Sequence, residues 1–330
     1  MRLVRTAFLA TTILASSTTF AQADAKVIAS IKPVHSLVAA VMEGVGTPDL
    51  LVEGAGSPHT YSLKPSQARK LQDADLVFWM SHDLEAFLEK SIEGIATDAK
   101  SVPLMDTHGL IKLDFREGGA FDAHAHDDHD DHDDHDDHDD HDDHDDHKDH
   151  DDHDDHGHHG TDPHVWLDPV NAKAMVHEIE EALVEADPAN AATYEANAEA
   201  MMSKLDELVT EIEAELEPVK GRGYVVFHDA YQYFETRFGV SAVGSITVSP
   251  EVLPGAERVV ELRDKVRSLD ATCVFSEPQF EPKLVMTITE NTNAGSGVLD
   301  PLGASIDDGP ELYFTLIRNM AKSLKDCLLK

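Results

Sequence analysis

A run of Asp-Asp-His triplets in the middle of the chain is the feature that most constrains its fold. From His126 to His156 the triplet repeats with a period of three, interrupted only at Lys148-Asp149. An α-helix repeats every 3.6 residues and a strand every two, so this period gives neither element a continuous face, and the run holds no apolar side chain to bury. Repulsion between the carboxylates extends it further. We therefore expect a disordered, Asp/His-rich surface insertion at about 122–160, with ordered structure on either side.

The charge of the chain is concentrated in this insertion but not confined to it. Residues 126–159 contain 19 Asp and one Lys, which give the segment a charge of −18 and leave −20 of the formal net charge of −38 to the rest. Nucleic acid is excluded as a partner because phosphate binding requires the opposite sign. A cationic ligand fits this charge better.

The first two dozen residues have the pattern of a secretory signal peptide. Arg2 and Arg5 give a positive start, the stretch 7–16 is apolar but too short to span a bilayer, and A-Q-A at 21–23 fits a cleavage site. A second such pattern, A-D-A at 23–25, leaves the cleavage position open. No lipobox cysteine follows, so we predict a signal peptide at 1–23 and a free protein in the periplasm.

The rest of the chain alternates between strand-like and helix-like segments, which predicts an α/β fold with parallel sheets. Strands are predicted at 26–31, 74–80, 102–104, 223–227 and 271–275, and helices at 34–42, 66–72, 84–94, 169–186, 231–238, 257–268 and 311–329. A further segment, 188–217, is rich in Ala, Glu, Leu and Met and would form a helix of about 45 Å. It either bridges two lobes or packs on one of them. We divide the chain into an N-terminal lobe at 24–187, a linking helix at 188–217 and a C-terminal lobe at 218–330.

The chain has two cysteines, Cys273 and Cys327. In an oxidising compartment a lone pair favours a disulfide over two free thiols, and here it would tie the final helix to a strand of the C-terminal half. The two residues are far apart and lack C-x-x-C spacing, which argues against a redox motif or a thiolate zinc site.

Three of the seven histidines outside the Asp/His-rich region lie at turns next to strand-like segments. They are His59 in GAGSPHTYSLKPS, His164 in TDPHVWLDP and His228 in VVFHDAY. Three imidazoles leave a fourth position of tetrahedral zinc for a carboxylate or water. Asp300 in VLDPLG is the best candidate carboxylate. Each histidine taken alone is equally consistent with a surface or capping role, and the spacing is too long for a local metal motif.

These segments resemble the ZnuA-type, metal-binding family of ABC-transporter substrate-binding proteins. The resemblance is carried by SPHTYSLKPSQ, DPHVWLDPVNA, VVFHDAYQYF, SEPQF and VLDPLG, and it covers the chain apart from the Asp/His-rich insertion. It implies two (βα)-type lobes joined by a long rigid helix, metal in the cleft between them, and His59, His164 and His228 as ligands. It also implies an acidic, His-rich loop beside the cleft and a disulfide in the C-terminal lobe.

One departure from the family pattern concerns the fourth ligand. Some zinc members carry Glu directly before the first ligand histidine, whereas this chain has Pro58. The fourth ligand is therefore either Asp300 or a water molecule. The third imidazole, His228, favours Zn²⁺ over Mn²⁺ because manganese prefers oxygen ligands.

The insertion is a second candidate zinc-binding region. Neutral imidazoles would bind zinc weakly, and less well below about pH 6. It would collect zinc for the cleft or report its abundance; the alternative is a solvated spacer. Its candidate accessory ligands are His126, His129, His132, His135, His138, His141, His144, His147, His150, His153, His156, His158 and His159.

The resemblance predicts capture of periplasmic zinc and its delivery, by a monomer, to the membrane permease of a zinc ABC importer. A zinc hydrolase is the alternative from another class, but the segment 177–181, HEIEE, lacks the second histidine of H-E-x-x-H, and no other hydrolase or nucleotide motif occurs. We therefore expect no enzyme activity. A surface-adhesion role and a zinc buffer or sensor acting through the insertion are the remaining alternatives.

Overall fold

A computed structural model describes residues 25–116, 160–247, 256–268, 272–280, 282–290 and 292–330. The predicted signal peptide and nearly all of the predicted insertion, with its thirteen candidate histidines, lie outside these residues. No helix of the described ranges is both long enough and apolar enough to cross a membrane.

Within the described ranges the chain forms strands and helices in alternation. The strands are β1 (Val27–Ala29), β2 (Asp49–Leu50), β3 (Leu76–Trp79), β4 (Lys100–Pro103), β5 (Tyr224–His228), β6 (Ala242–Thr247), β7 (Cys273–Ser276) and β8 (Gly295–Val298). The helices are α1 (Lys32–Val41), α2 (Pro65–Gln72), α3 (Ala86–Ile95), α4 (Pro169–Ala186), α5 (Ala191–Leu216), α6 (Gln232–Phe238), α7 (Ala256–Ser268), α8 (Pro282–Thr289) and α9 (Leu312–Leu328).

The strands form two four-stranded parallel sheets with the same topology. The first sheet has the order β2-β1-β3-β4, and the second has the order β6-β5-β7-β8. In each sheet the first strand in sequence is an inner strand. The second strand pairs with it on one side, and the third and fourth strands extend the sheet on the other side. β3 and β5 are buried along their whole length, as expected for parallel strands covered by helices on both faces. The α/β fold class and the two-sheet architecture are confirmed.

The two sheets share one hydrophobic core on their inner faces. Side chains of both sheets belong to it, together with those of five helices, α1, α4, α5, α6 and α9. α5 contacts the other four of these helices, so it joins the two halves by packing as well as by sequence. The outer faces have separate, smaller cores, around Val77 under α2 and α3 and around Val274 under α7 and α8.

The predicted long helix is shorter than expected. Pro188–Asn190 forms a 3-10 turn, and α5 follows with 26 residues, about 39 Å. Asp187 precedes this turn and accepts hydrogen bonds from the side chains of Asn190 and Tyr194. The domain boundaries drawn on this segment stay an interpretation.

The two cysteines form a disulfide, as the sequence predicts. Cys273 begins β7 and Cys327 lies in the last turn of α9, and their Cα atoms are 6.2 Å apart. Gly295 in the neighbouring strand lies against the bridge, since a Cβ at this position would be 3.1 Å from Cys327 Sγ. The bridge therefore fixes the last helix to the centre of the second sheet.

Four elements were not predicted, namely β2, β6, α8 and β8. β8 has the sequence Gly-Ser-Gly-Val, and glycine is unfavourable in strands. A Cβ at Gly297 would lie 2.5 Å from the Phe275 ring. Packing against β7 therefore requires glycine at this position. The sequence of β8 taken alone does not reveal this contact.

Candidate metal centre

His59 lies in a 3-10 turn, Pro58–Thr60, in the loop that follows β2. Pro58 opens this turn because its fixed φ angle suits the first helical position. Behind it, Tyr61 donates a hydrogen bond to Leu51 O at 3.1 Å, and Gln67 Nε2 donates to Tyr61 Oη at 2.8 Å. These contacts hold the loop against the first sheet, and the His59 side chain remains partly exposed.

His164 is held by an acidic side chain two residues before it. Asp162 is buried, and its Oδ1 lies 3.0 Å from His164 N and 2.7 Å from His164 Nδ1. The chain then passes through a 3-10 turn to Asp168, which caps α4 by accepting a hydrogen bond from Val170 N. Arg237 binds both carboxylate oxygens of Asp168 at 2.7 Å, so this ligand segment is anchored to the second half of the chain.

His228 is the last residue of β5, and an acidic residue of the adjacent segment holds it. Glu277 directly follows β7, the neighbour of β5, and its Oε1 lies 2.7 Å from His228 Nδ1. β6 and β7 lie on opposite sides of β5, so His228 stands where the strand order reverses. Parallel α/β sheets bind ligands at this position, beyond the carboxyl ends of the strands.

The three histidines converge on one point. One ring nitrogen from each lies within 4.8 Å of the other two, and the Nε2 atoms of His164 and His228 are 3.4 Å apart. Tetrahedral zinc with Zn–N bonds of about 2.0–2.1 Å places its nitrogen ligands about 3.3–3.4 Å apart. The observed separation therefore fits this donor set to a single zinc ion.

The buried carboxylates define which ring nitrogens face the centre. A carboxylate can only accept, so Asp162 and Glu277 bind the Nδ1–H groups of His164 and His228. The lone pairs are then on the two Nε2 atoms. Carboxylates hold metal-bound histidines in this way in many zinc sites, and they also make the imidazole a stronger donor.

Burial and neighbouring charge shift the proton affinities of the site in opposite directions. Desolvation of the His59 ring, together with repulsion from His164 and His228, lowers its pKa well below 6.5. For His228, burial also favours the neutral ring, but the charge and hydrogen bond of Glu277, together with the charges of Asp229 and Asp162, outweigh it and raise the pKa. Burial raises the pKa of Asp162 to about 7. His59 is thus neutral and ready to bind a metal at neutral pH, whereas a proton competes for His228.

The space at the centre is small and its walls are largely apolar. The cavity has a volume of about 10 Å³ and is lined by the histidines together with Pro58, Trp166, Phe280 and Leu302. Trp166 is fixed by a hydrogen bond from Nε1 to Pro301 O at 2.9 Å. A volume of this size admits one water-sized sphere, so the centre has room for a single ion.

Asp300, the predicted carboxylate ligand, does not belong to this group of three histidines. Its Oδ1 accepts hydrogen bonds from Leu302 N, Gly303 N and Gln279 Nε2 at 3.1, 2.9 and 3.0 Å, and its Oδ2 accepts one from Ala304 N at 2.6 Å. A direct bond from Asp300 to the metal stays a prediction.

Sequence reasoning did not assign roles to Asp162, Glu277 or Gln279. All three lie in segments that carried the family resemblance, TDPHVW and SEPQF. The expectation that a zinc-bound histidine has a carboxylate partner could have selected Asp162, two residues before a candidate ligand. Glu277 could not be paired with His228 before the order of the strands was known.

The ends of the undescribed segment 117–159 lie beside the centre. Asp114 and Thr161 form an antiparallel bridge. Arg116 forms ion pairs with Asp229, the neighbour of His228 in sequence, and with Glu235 of α6. The described residues on either side of 117–159 therefore lie close to the segments that carry His164 and His228.

Comparison with known proteins decides the family. Residues 27–327 match the model of the family described as "Zinc-uptake complex component A periplasmic", ZnuA. The chain belongs to the ZnuA family. Among its ZnuA relatives, the "High-affinity zinc uptake system protein ZnuA" of Brucella suis is 57% identical over 334 residues, which cover both chains completely. The protein of the same name from Paracoccus denitrificans is 42% identical over 92% of this chain and 91% of its own length.

Solved structures support the fold of this ZnuA family member. A crystal structure of ZnuA matches with a TM-score of 0.70 at 24% identity, covering 92% of this chain and 99% of the other. The Zn(II)-bound AdcA of Streptococcus pneumoniae matches with a TM-score of 0.68 at 23% identity, covering 93% of this chain and 58% of the other.

Proposed function

We propose that this chain is the periplasmic zinc-binding component of an ABC-type zinc importer, which captures zinc as a monomer and delivers it to a membrane permease. The observation that carries the proposal is the convergence of His59, His164 and His228 on a cavity with room for one ion. Membership of a family of periplasmic zinc-uptake components supports the same function.

Zinc is the cargo of this site, and the chain's own residues supply its binding chemistry. Three neutral imidazoles suit Zn²⁺ better than Mn²⁺ or Mg²⁺, which prefer oxygen ligands. Asp162 and Glu277 hold two of the rings and place negative charge behind them, which compensates the charge of the incoming ion. The neutral rings bind zinc through their lone pairs, so only a proton that competes for His228 is displaced, and no bond between heavy atoms of the protein changes.

The three ligands are not held equally, which suggests a route for release. His164 and His228 are buried and each is bound to a buried carboxylate. His59 lies on a partly exposed turn, and no hydrogen bond holds its ring among the described residues. We infer that displacement of the His59 turn by the permease is the step that opens the site.

The proposal is tested by zinc titration of the metal-free protein against a competing chelator. The full chain and a version lacking residues 126–159 should share one tight site, and weaker sites should be lost with the deletion. Ala substitution of His59, His164 or His228 should abolish tight binding. His177→Ala is a matched control, because this histidine is exposed on α4 and does not belong to the group of three histidines.

Two other functions make different predictions. If the protein acts as a buffer through its insertion, deletion of residues 126–159 removes all binding and the three single substitutions change nothing. A zinc hydrolase would need space for a substrate beside the metal, which a cavity of about 10 Å³ does not provide. Turnover of ester or peptide substrates by the zinc-loaded protein would contradict the transport function.

A further inference from the structure

Gln279 is a polar side chain of the metal cavity that has no place in the three-histidine set. It follows β7 by three residues and lines the same cavity as the histidines. Its Nε2 donates a hydrogen bond to Asp300 Oδ1 at 3.0 Å. Its Oε1 is buried and has no hydrogen-bond partner among the described residues.

The chemistry of Asp300 fixes the orientation of this amide. The nitrogen and oxygen of a glutamine are assigned from their neighbours, and an ionised carboxylate can only accept hydrogen bonds. The amide nitrogen must therefore be the atom that faces Asp300, and the oxygen is the atom left without a partner. Asp300 is itself held by three backbone N–H groups of the loop 302–304, so the amide has a rigid support.

A buried carbonyl oxygen without a partner loses its hydration and gains no hydrogen bond in return, so it usually marks a missing ion or water. Beside three imidazole nitrogens, the natural occupant is a divalent cation, or a water molecule bound to it. Gln279 lines the same cavity as the three histidines, so its unpartnered oxygen is available to a cation bound there.

We propose that Gln279 Oε1 is the oxygen that meets the fourth position of the captured metal, directly or through one bound water, and that Asp300 is a positioning residue for Gln279. This inference rests on the proposed function of the same site. It assigns Asp300 a different role from that of a ligand: its Oδ1 already accepts three hydrogen bonds and its Oδ2 one, which fix the carboxylate to the loop 302–304 and to Gln279.

The proposal has a consequence for metal selectivity. An amide oxygen is neutral, so all the groups that contact the metal would be neutral. The carboxylates of Asp162 and Glu277 would contact the histidine rings and not the metal itself. Mn²⁺ gains more from carboxylate oxygens than Zn²⁺ does. Holding Asp300 away from the metal therefore disfavours Mn²⁺.

The experiment is a double-mutant cycle on the full chain with Gln279→Ala, Asp300→Ala and the double variant. Zinc affinity is measured by chelator competition, and Co²⁺, whose visible absorption reports the number and type of its ligands, serves as a spectroscopic probe. We expect each single variant to lower zinc affinity by about 10- to 100-fold. The double variant should bind no more weakly than the weaker single variant, because both substitutions remove one interaction. The Co²⁺ bands should shift alike in all three.

Asp308→Asn is the matched control for loop integrity. Asp308 lies in the same loop and pairs with Lys32 of α1 at 3.0 Å, so its substitution should leave zinc affinity and the Co²⁺ bands unchanged. If Asp300→Ala does not fold, Asp300→Asn replaces it with a different expected result. Asparagine keeps an acceptor for Gln279, so zinc affinity and the Co²⁺ bands should stay close to those of the wild type, whereas a direct bond from Asp300 to the metal predicts altered bands.

Three outcomes would overturn the inference. Wild-type Co²⁺ bands in Gln279→Ala, with altered bands in Asp300→Ala, would make Asp300 the ligand. Unchanged affinity and bands in both variants would leave the fourth position to a water that neither side chain holds. Additive losses in the double variant would show two independent contacts. A wild-type protein that binds neither metal tightly would instead contradict the proposed function.

Discussion

His228 Nδ1 and Glu277 Oε1 are 2.7 Å apart and join the ends of two adjacent strands, β5 and β7. Glu277 is 3% exposed, so its charge acts on the imidazole with little screening by water. The orientation of the third candidate ligand, His228, therefore depends on a residue 49 positions away in sequence.

Replacement of Glu277 by Gln should weaken zinc binding. The amide can still accept the Nδ1–H bond, but it supplies no negative charge behind the ring, so the loss should be about 10- to 100-fold in affinity. Chelator competition measures it. Glu290→Gln, an exposed change in the same half of the chain, should have no effect, and equal affinities for the two variants would show that the Glu277 charge is irrelevant to the site.

Zinc affinity should depend on pH through His228 before His59. The raised pKa of His228 means that a proton competes for this ring as the pH falls through values above 6.5, whereas the lowered pKa of His59 delays its protonation to more acidic conditions. Between the two pKa values, each zinc ion bound should release about one proton from the cleft. Titrations from pH 8 to 5 on the version lacking residues 126–159 measure this. A constant affinity down to pH 6 would contradict it.

Glu85 should make the metal-free protein less stable as the pH rises. This carboxyl group is fully buried, accepts hydrogen bonds from Ser30 Oγ, Met80 N and Ser81 N, and has a pKa raised by burial to about 7. A group whose folded pKa exceeds its unfolded value of 4.5 contributes stability below pH 4.5, which is lost as the pH rises through 7.

Glu85→Gln should remove this loss, because the amide can satisfy the same partners without a charge. Its stability relative to wild type should increase from pH 4.5 to 8, by at most about 3 kcal/mol. Urea unfolding at a series of pH values measures the difference between the two proteins. A difference that does not change with pH would mean that Glu85 does not titrate in this range.

The disulfide should stabilise the fold without affecting the metal site. Its cysteines are 54 residues apart, and loop-closure entropy for such a length corresponds to about 4 kcal/mol. Substitution of both Cys273 and Cys327 by Ser should lower the melting temperature, whereas zinc affinity should hold because Cys273 is at the opposite end of β7 from Glu277. A loss of zinc affinity in the folded variant would show that the disulfide also supports the geometry of the metal site.

The elements that the sequence predicted best are those with local signals. α4 was predicted at 169–186, its observed bounds, because Asp168 and Pro169 form an N-cap and a first helical turn. β8 was missed because its glycines are explained only by the Phe275 ring and the disulfide of the neighbouring strand. Local chemistry is visible in one segment, but close packing between segments is not.

The candidate site shows the same limit. His59, His164 and His228 were grouped through a family resemblance, since no rule of spacing connects positions so far apart. Their convergence requires both sheets and the turns between them. Asp162 could have been predicted as the carboxylate partner of His164 because it lies only two residues before it. The contacts of Glu277 and Gln279, in contrast, depend on the order of strands in the second sheet.

The core shared by the two sheets also determines how zinc can leave. Rigid separation of the two halves would expose core side chains of α1, α4, α5 and α9 to water, which costs hydrophobic free energy. We therefore expect zinc to leave by displacement of the partly exposed turn that carries His59, and the two halves to stay packed together. The rate of zinc transfer would then depend on a few residues around His59. Substitutions there could change this rate during evolution while the shared core of the two sheets stays the same.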